Sequence, residues 1–208
     1  MTITIHHLEN SRSQRVIWLL EELGIPYLVK RYERDPKTGM APPELKEIHP
    51  LGKSPVIQNG DVTVAETGAI IDYLVSMAYG KLGQPADRKA AARYVYFMHY
   101  AEGSLMPPLF ALLVLRRMGE AGKAIATTVQ KAFADHLDWL DKEISLRPWF
   151  AGNEFTASDI MMSFPLEAAR QRGGLGHSYP HLNEYLDRIH ARPAYRAALE
   201  RGGPYAFA

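Results

Sequence analysis

The chain contains no cysteine in 208 residues. That absence excludes disulfide scaffolds, zinc–thiolate sites and catalysis by a protein thiol. It also removes any argument for an oxidising compartment. Net charge is nearly absent too, because 24 Lys and Arg against 23 Asp and Glu leave +1. Electrostatic binding to nucleic acid or an acidic membrane is therefore not expected. The pair Arg116-Arg117 reads as a solvated helix face. No run approaches the ~18 apolar residues of a membrane span. The segment Met1-Thr-Ile-Thr-Ile lacks the basic and apolar regions of a signal peptide. A cytoplasmic location is expected. Metal signatures are missing as well: the eight histidines show no metal-ligand spacing, and no His-Glu-x-x-His occurs. These histidines are expected to be satisfied or exposed. Gly52-Lys53-Ser54 lacks the upstream glycine of a phosphate-binding loop.

What is present is a globular composition, 47% hydrophobic and 23% charged, with enough residues for a sizeable core. Thr-Ile-Thr-Ile alternation at 2–5 predicts a strand. Val16, Leu19, Leu20 and Leu23 predict a helix over 12–23, capped by Ser11 or Asn10 and stopped by Gly24 and Pro26. Tyr27-Leu28-Val29 predicts a second strand, so the chain opens as a right-handed β-α-β unit. Residues 30–43 read as a loop and 44–48 as a short helix. Val56-Ile57 and Val62-Thr63-Val64 form a hairpin across Asn59-Gly60, followed by a helix over 65–74. Gly80, Gly83 and Pro85 mark a linker between a first domain, 1–78, and an all-α second domain, 86–208. Helices are expected at 87–118, 122–146, 157–171, 179–190 and about 193–200, with Pro107-Pro108 bending or breaking the first. Thr156-Ala-Ser-Asp159 is a capping box, a folding element.

Residues 52–68 point most directly at a ligand. Pro55 at the head of a strand is either an edge-strand proline or the second residue of a cis bond that turns the Ser54 backbone outward. Glu66-Thr67 at a helix start are either caps or a site for an α-amino acid group. In the second case the helix N-terminus and the Thr67 hydroxyl take a carboxylate, and Glu66 an ammonium. Asn10-Ser11 are either an N-cap or a donor to a bound thiol. Lowering a thiol pKa by ~2 units needs about 2.7 kcal/mol of preferential stabilisation, within reach of one donor and a helix N-terminus.

Four segments together carry a family resemblance: Ser11-Arg-Ser-Gln-Arg15, His49-Pro-Leu-Gly-Lys-Ser-Pro-Val56, Ala65-Glu-Thr-Gly-Ala69 and Phe155-Thr-Ala-Ser-Asp-Ile160. With the β-α-β-α-β-β-α order and the helical remainder, the chain resembles the soluble glutathione transferase family. Tyr100 to Pro108 is most similar to the fourth helix of bacterial and fungal members, and Ser11 to serine-type members. The resemblance implies an α/β thioredoxin-like N-terminal domain (βαβαββα) that binds glutathione as co-substrate, followed by the all-α domain. It implies a cis Pro55, Ser54 pairing with the cysteinyl unit, Lys53 reaching a ligand carboxylate, and Glu66 and Thr67 holding the γ-glutamyl end. Ser11 stabilises the thiolate, or Asn10 if the motif is counted back from Arg15. Tyr100, Met106, Leu109 and Leu113 wall the electrophile, and Glu102 reaches across a homodimer. The implied activity is attack of glutathione on small hydrophobic electrophiles. The alternatives are glutathione-dependent disulfide or peroxide reduction, and a ligand-binding module without catalysis. No metal, nucleic acid or membrane partner is expected.

Overall fold

The computed structural model describes residues 2–172 and 174–208. Its elements fall into two compact units, residues 2–83 with His190–Ala206 and Ala208, and Gln84–Ile189 with Phe207.

The first unit is built on a four-stranded mixed sheet in the order β2-β1-β3-β4. Strand β1 (Ile3–Leu8) pairs parallel with β2 (Tyr27–Tyr32) through the crossover helix α1 (Ser13–Leu23). It pairs antiparallel with β3 (Val56–Asn59), which forms a hairpin with β4 (Val62–Ala65). Strand β2 runs three residues beyond the apolar triplet, because Lys30 and Arg31 point from a strand with one exposed edge. The two-residue hairpin loop is Gly60-Asp61, and Gly60 takes φ 63° there, so Asn59 belongs to the strand. Helix α2 (Leu45–Ile48) covers a small cluster of Leu8, Tyr32 and Leu45.

Strand β1 lies in the middle of the sheet and is buried on both faces, including His6 and His7. Alternation puts Ile3, Ile5 and His7 on one face and Thr4, His6 and Leu8 on the other. Helix α1 begins at Ser13 behind Arg12, without a side-chain cap on Arg12, and ends on left-handed Gly24 as predicted. Helix α9 (Pro193–Gly202) packs on α1. Trp18 meets Tyr195 edge-on at 5.1 Å, and Arg192 forks onto Glu22 at 2.6 and 2.9 Å. The last helix of the sequence thus belongs to the first unit. Helix α3 (Thr67–Met77) starts two residues later than the pattern suggests, because Ala65 still pairs with Val56.

The second unit is helical: α4 (Arg88–Tyr100), α5 (Met106–Arg117), α6 (Glu120–Ser145), α7 (Ala157–Arg172) and α8 (Pro180–His190). Of the expected bend or break at Pro107-Pro108, a break does not occur, and the chain stays helical through both residues. A π-helical turn at Ala101–Leu105 widens the helix just before them, so both prolines fall in the first turn of α5. There their missing N–H groups are tolerated. Asp159 accepts the amides of Phe150 and Thr156 at 2.9 Å each, and the Thr156 hydroxyl at 3.2 Å, so the box caps α7. Among the described residues no helix is long and apolar enough to cross a membrane.

Candidate functional site

The sheet register assembles three separate segments. His6, Val56 and Ala65 lie side by side on β1, β3 and β4. Just past that row β1 leads to Asn10-Ser11, β3 is entered from Ser54-Pro55, and β4 leaves into Glu66-Thr67. Three sequence-predicted pairs therefore meet at one end of the sheet.

The Ser54–Pro55 bond is cis, and Pro55 is buried. The Ser54 hydroxyl accepts the Leu8 amide at 3.1 Å and donates to the His6 carbonyl at 2.8 Å. The side chain thus binds the segment to β1, where the ladder between β1 and β3 has ended. Lys53 beside it is exposed.

Glu66 is exposed and has φ 70°, ψ 125°, a conformation that side chains other than glycine rarely adopt. Its carbonyl accepts from Ile70 at 2.9 Å and so begins α3. The next amides in the first turn have no intrahelical acceptor and carry the positive end of the helix dipole. Thr67 is 4% exposed, and its hydroxyl accepts from Arg15 Nη2 at 3.4 Å. Arg15 is itself buried and sets a full positive charge behind this helix start. Hydroxyl, amides and guanidinium together suit a carboxylate.

Asn10 takes φ 49°, and its side-chain oxygen accepts the Ala206 amide at 2.7 Å. Its carbonyl accepts from Arg34 at 3.4 Å, and Arg34 also holds Glu9. Ser11 is 7% exposed. Its Oγ accepts the Ser13 amide at 3.3 Å and lies 2.7 Å from Ser13 Oγ. Ser13 Oγ in turn lies 2.8 Å from His7 Nδ1 and 3.2 Å from the Leu8 carbonyl. Burial pushes the His7 pKa down to about 4; Arg31 adds to this, and the Gly202 carbonyl and Glu9 oppose it. His6 is held on the other face by Tyr32 OH at 2.8 Å and Gln58 at 3.0 Å, and burial lowers its pKa too.

Ser13 and His7 escaped the sequence reading. Their one visible signal is that His7 follows the inward parity of Ile3 and Ile5, where an apolar residue is expected. Arg15 was visible only as a motif letter.

The remaining predicted residues lie in the second unit. Tyr100 is buried; its hydroxyl meets His136 Nδ1 at 2.5 Å, its ring stacks with Tyr96, and burial raises its pKa. Met106 and Leu109 are 4% and 3% exposed, and Leu113 is half-buried. Leu109 and Leu113 line a cavity of about 30 Å³ with Phe133 and Ala169, room for a water at most. Glu102 is half-buried in the π-helical turn.

Two family models match. "Glutathione S-transferase, N-terminal domain" matches residues 11–77, and "Glutathione S-transferase, C-terminal domain" matches residues 86–188. Glutathione S-transferase 3 of Schizosaccharomyces pombe is 35% identical over 96% of this chain and 87% of its own length. Glutathione S-transferase 1 of Saccharomyces cerevisiae is 31% identical over 96% and 94%. A crystal structure of a glutathione S-transferase from Actinobacillus pleuropneumoniae superposes with a TM-score of 0.88 at 34% identity, covering 99% of this chain and 94% of that one.

Proposed function

The chain belongs to the glutathione S-transferase family, and from that premise we propose that it is a serine-type member in which Ser11 turns bound glutathione into its thiolate. The carrying observation is the convergence of Asn10-Ser11, Ser54-Pro55 and Glu66-Thr67 at one end of the sheet. Each pair alone also serves a structural purpose. Together they offer what a γ-glutamyl tripeptide requires. The start of α3, Thr67 and Arg15 take the γ-glutamyl carboxylate, and Glu66 its ammonium. The Ser54 backbone pairs with the cysteinyl unit, because its hydroxyl already serves β1. Lys53 reaches a further ligand carboxylate.

This clamp brings the thiol to the start of α1. A free thiol of pKa about 8.5 is only a few per cent ionised at neutral pH. A hydroxyl donor and the positive end of a helix both favour the anion. We assign the donor to Ser11, because acceptance of the Ala206 amide holds the Asn10 side chain against the C-terminal segment. The thiolate then attacks a small hydrophobic electrophile. The half-buried Leu113, with Tyr100, Met106 and Leu109, supplies the apolar wall for that molecule. The protein works as a homodimer, with Glu102 directed to the partner's glutathione.

Turnover of a chlorinated nitrobenzene separates the two assignments. Ser11→Ala loses about tenfold or more in kcat/KM and still binds glutathione, whereas Asn10→Ala keeps most of its activity. Full activity in Ser11→Ala with loss in Asn10→Ala would contradict the assignment.

A further inference from the structure

We propose that the helical unit carries a second ligand site, which takes a small organic anion: a flat apolar body bearing a carboxylate or sulfonate. The site is a cavity of about 460 Å³ walled by α5, α6 and the chain that leaves α7. That volume lies in the range that holds a drug-sized molecule. Its lining runs from Leu112 to Gly174, inside the second unit, so it shares no residue with the proposed glutathione clamp.

The walls follow from helical spacing and small side chains. Leu112, Leu115 and Arg116 bring one face of α5 to the cavity. Helix α6 faces them with Ala126, Phe133 and Ala134. The two helices meet tightly near their junction, where a Cβ on Gly122 would lie 2.2 Å from the Leu115 carbonyl oxygen. Farther along α6, Ala126 and Ala134 leave space that larger side chains would fill. On the third side Gly174 brings the chain against Phe133, and a Cβ there would lie 2.7 Å from Cε1. Leu115 and Phe133 are buried, and Leu112, Ala126 and Ala134 are half-buried, so the floor is apolar.

The rim is cationic. Arg116, Lys123 and Arg172 line it against the single carboxylate of Glu120. Glu120 is already engaged, because it accepts from Lys123 at 2.5 Å. The helix ends that meet around Gly119 carry opposite partial charges, so the side chains set the sign. Arg172 lies over the Phe207 ring at 5.1 Å. Arg116 donates from Nη2 to the Arg172 carbonyl at 2.9 Å, and among the described residues it has no carboxylate partner. That bond uses one edge of the guanidinium and leaves the other for a bidentate carboxylate or sulfonate. Arg116 and Arg117 are both exposed, yet of the two it is Arg116 that lines the cavity. The solvated-face reading therefore suits Arg117 alone. An apolar floor beneath a cationic rim selects an amphipathic anion. A neutral apolar molecule leaves the rim unused, and a polyphosphate leaves the floor unfilled.

The test titrates the protein with 8-anilinonaphthalene-1-sulfonate, read by its fluorescence, and with N-phenyl-1-naphthylamine, the same aromatic body without the sulfonate. Wild type should bind the sulfonate about tenfold or more tighter than the neutral amine. Arg116→Met should weaken the sulfonate by about tenfold and leave the amine unchanged. Arg116→Lys, a point charge without the fork, should recover part of that loss. Ala126→Phe fills the cavity and should lose both probes. Arg116 is exposed, so its variants keep the fold even where Ala126→Phe does not. S-hexylglutathione, which would occupy the proposed glutathione and electrophile sites, should not displace the sulfonate. Absence of binding in wild type, equal binding of the neutral amine, or undiminished sulfonate binding in Arg116→Met overturns the proposal. Displacement by S-hexylglutathione, or full binding to a folded Ala126→Phe, puts the probe elsewhere and overturns it as well.

Discussion

A buried imidazole is tolerated only while it is neutral, and His7 shows what that costs in acid. Its folded pKa is pushed down to about 4 from an ordinary 6.5. Between those values the unfolded chain binds a proton that the native chain does not. Native stability therefore falls as pH drops through this window and is flat above it. Chemical denaturation at about pH 7 and about pH 5 should show a loss of ~2 kcal/mol from this residue. His7→Asn should be less stable at neutral pH and lose correspondingly less on acidification. An equal loss in both proteins would mean that His7 does not carry the acid sensitivity. At this scale the sequence was half legible. Ser11, Pro55, Glu66 and Thr67 stood out because turns and helix starts favour particular residue types. Ser13 and His7 did not, because a hydroxyl at the first position of a helix and a histidine in a strand do not by themselves mark a functional site. Their meaning comes from the parallel crossover that sets α1 over β1.

Element boundaries were read correctly where local chemistry sets them and missed where tertiary pairing does. Gly24 ends α1 by adopting φ 72°, a preference visible in the letter itself. Ala65 looked like the start of a helix but is held in β4 by Val56. Pro107-Pro108 looked like a bend or break, yet one π-helical turn upstream moves both to a permitted place. The capping box at Thr156–Asp159 was fully legible, because its donors and acceptor lie within one turn. The Phe150 amide is a long-range addition that the pattern could not reveal. Asp159 is completely buried, and burial raises its pKa to about 7 against the pull of the hydrogen bonds it accepts. Asp159→Ala leaves two buried amides without their acceptor and should cost about 3 kcal/mol, read from the urea midpoint. A loss below about 0.5 kcal/mol would show that α7 does not depend on this cap.

At the scale of the molecule, the β-α-β-α-β-β-α order and the helical remainder were legible from periodicity and punctuation alone. The placement of the final helix was not: α9 joins the sheet unit through Trp18–Tyr195 and Arg192–Glu22, contacts between positions far apart in the chain. The proposed glutathione clamp depends on the same kind of long-range order. Three pairs that each suit a cap or turn are brought together only because His6, Val56 and Ala65 share a row across the sheet. The central claim is that this end of the sheet holds glutathione with its sulfur against Ser11. A crystal structure of the protein soaked with glutathione tests it most directly. The account predicts the γ-glutamyl carboxylate at the start of α3 beside Thr67, the cysteinyl backbone paired with Ser54, and Ser11 Oγ within hydrogen-bonding distance of the sulfur. A sulfur facing Asn10 instead, or a tripeptide bound away from Glu66 and Thr67, would contradict it.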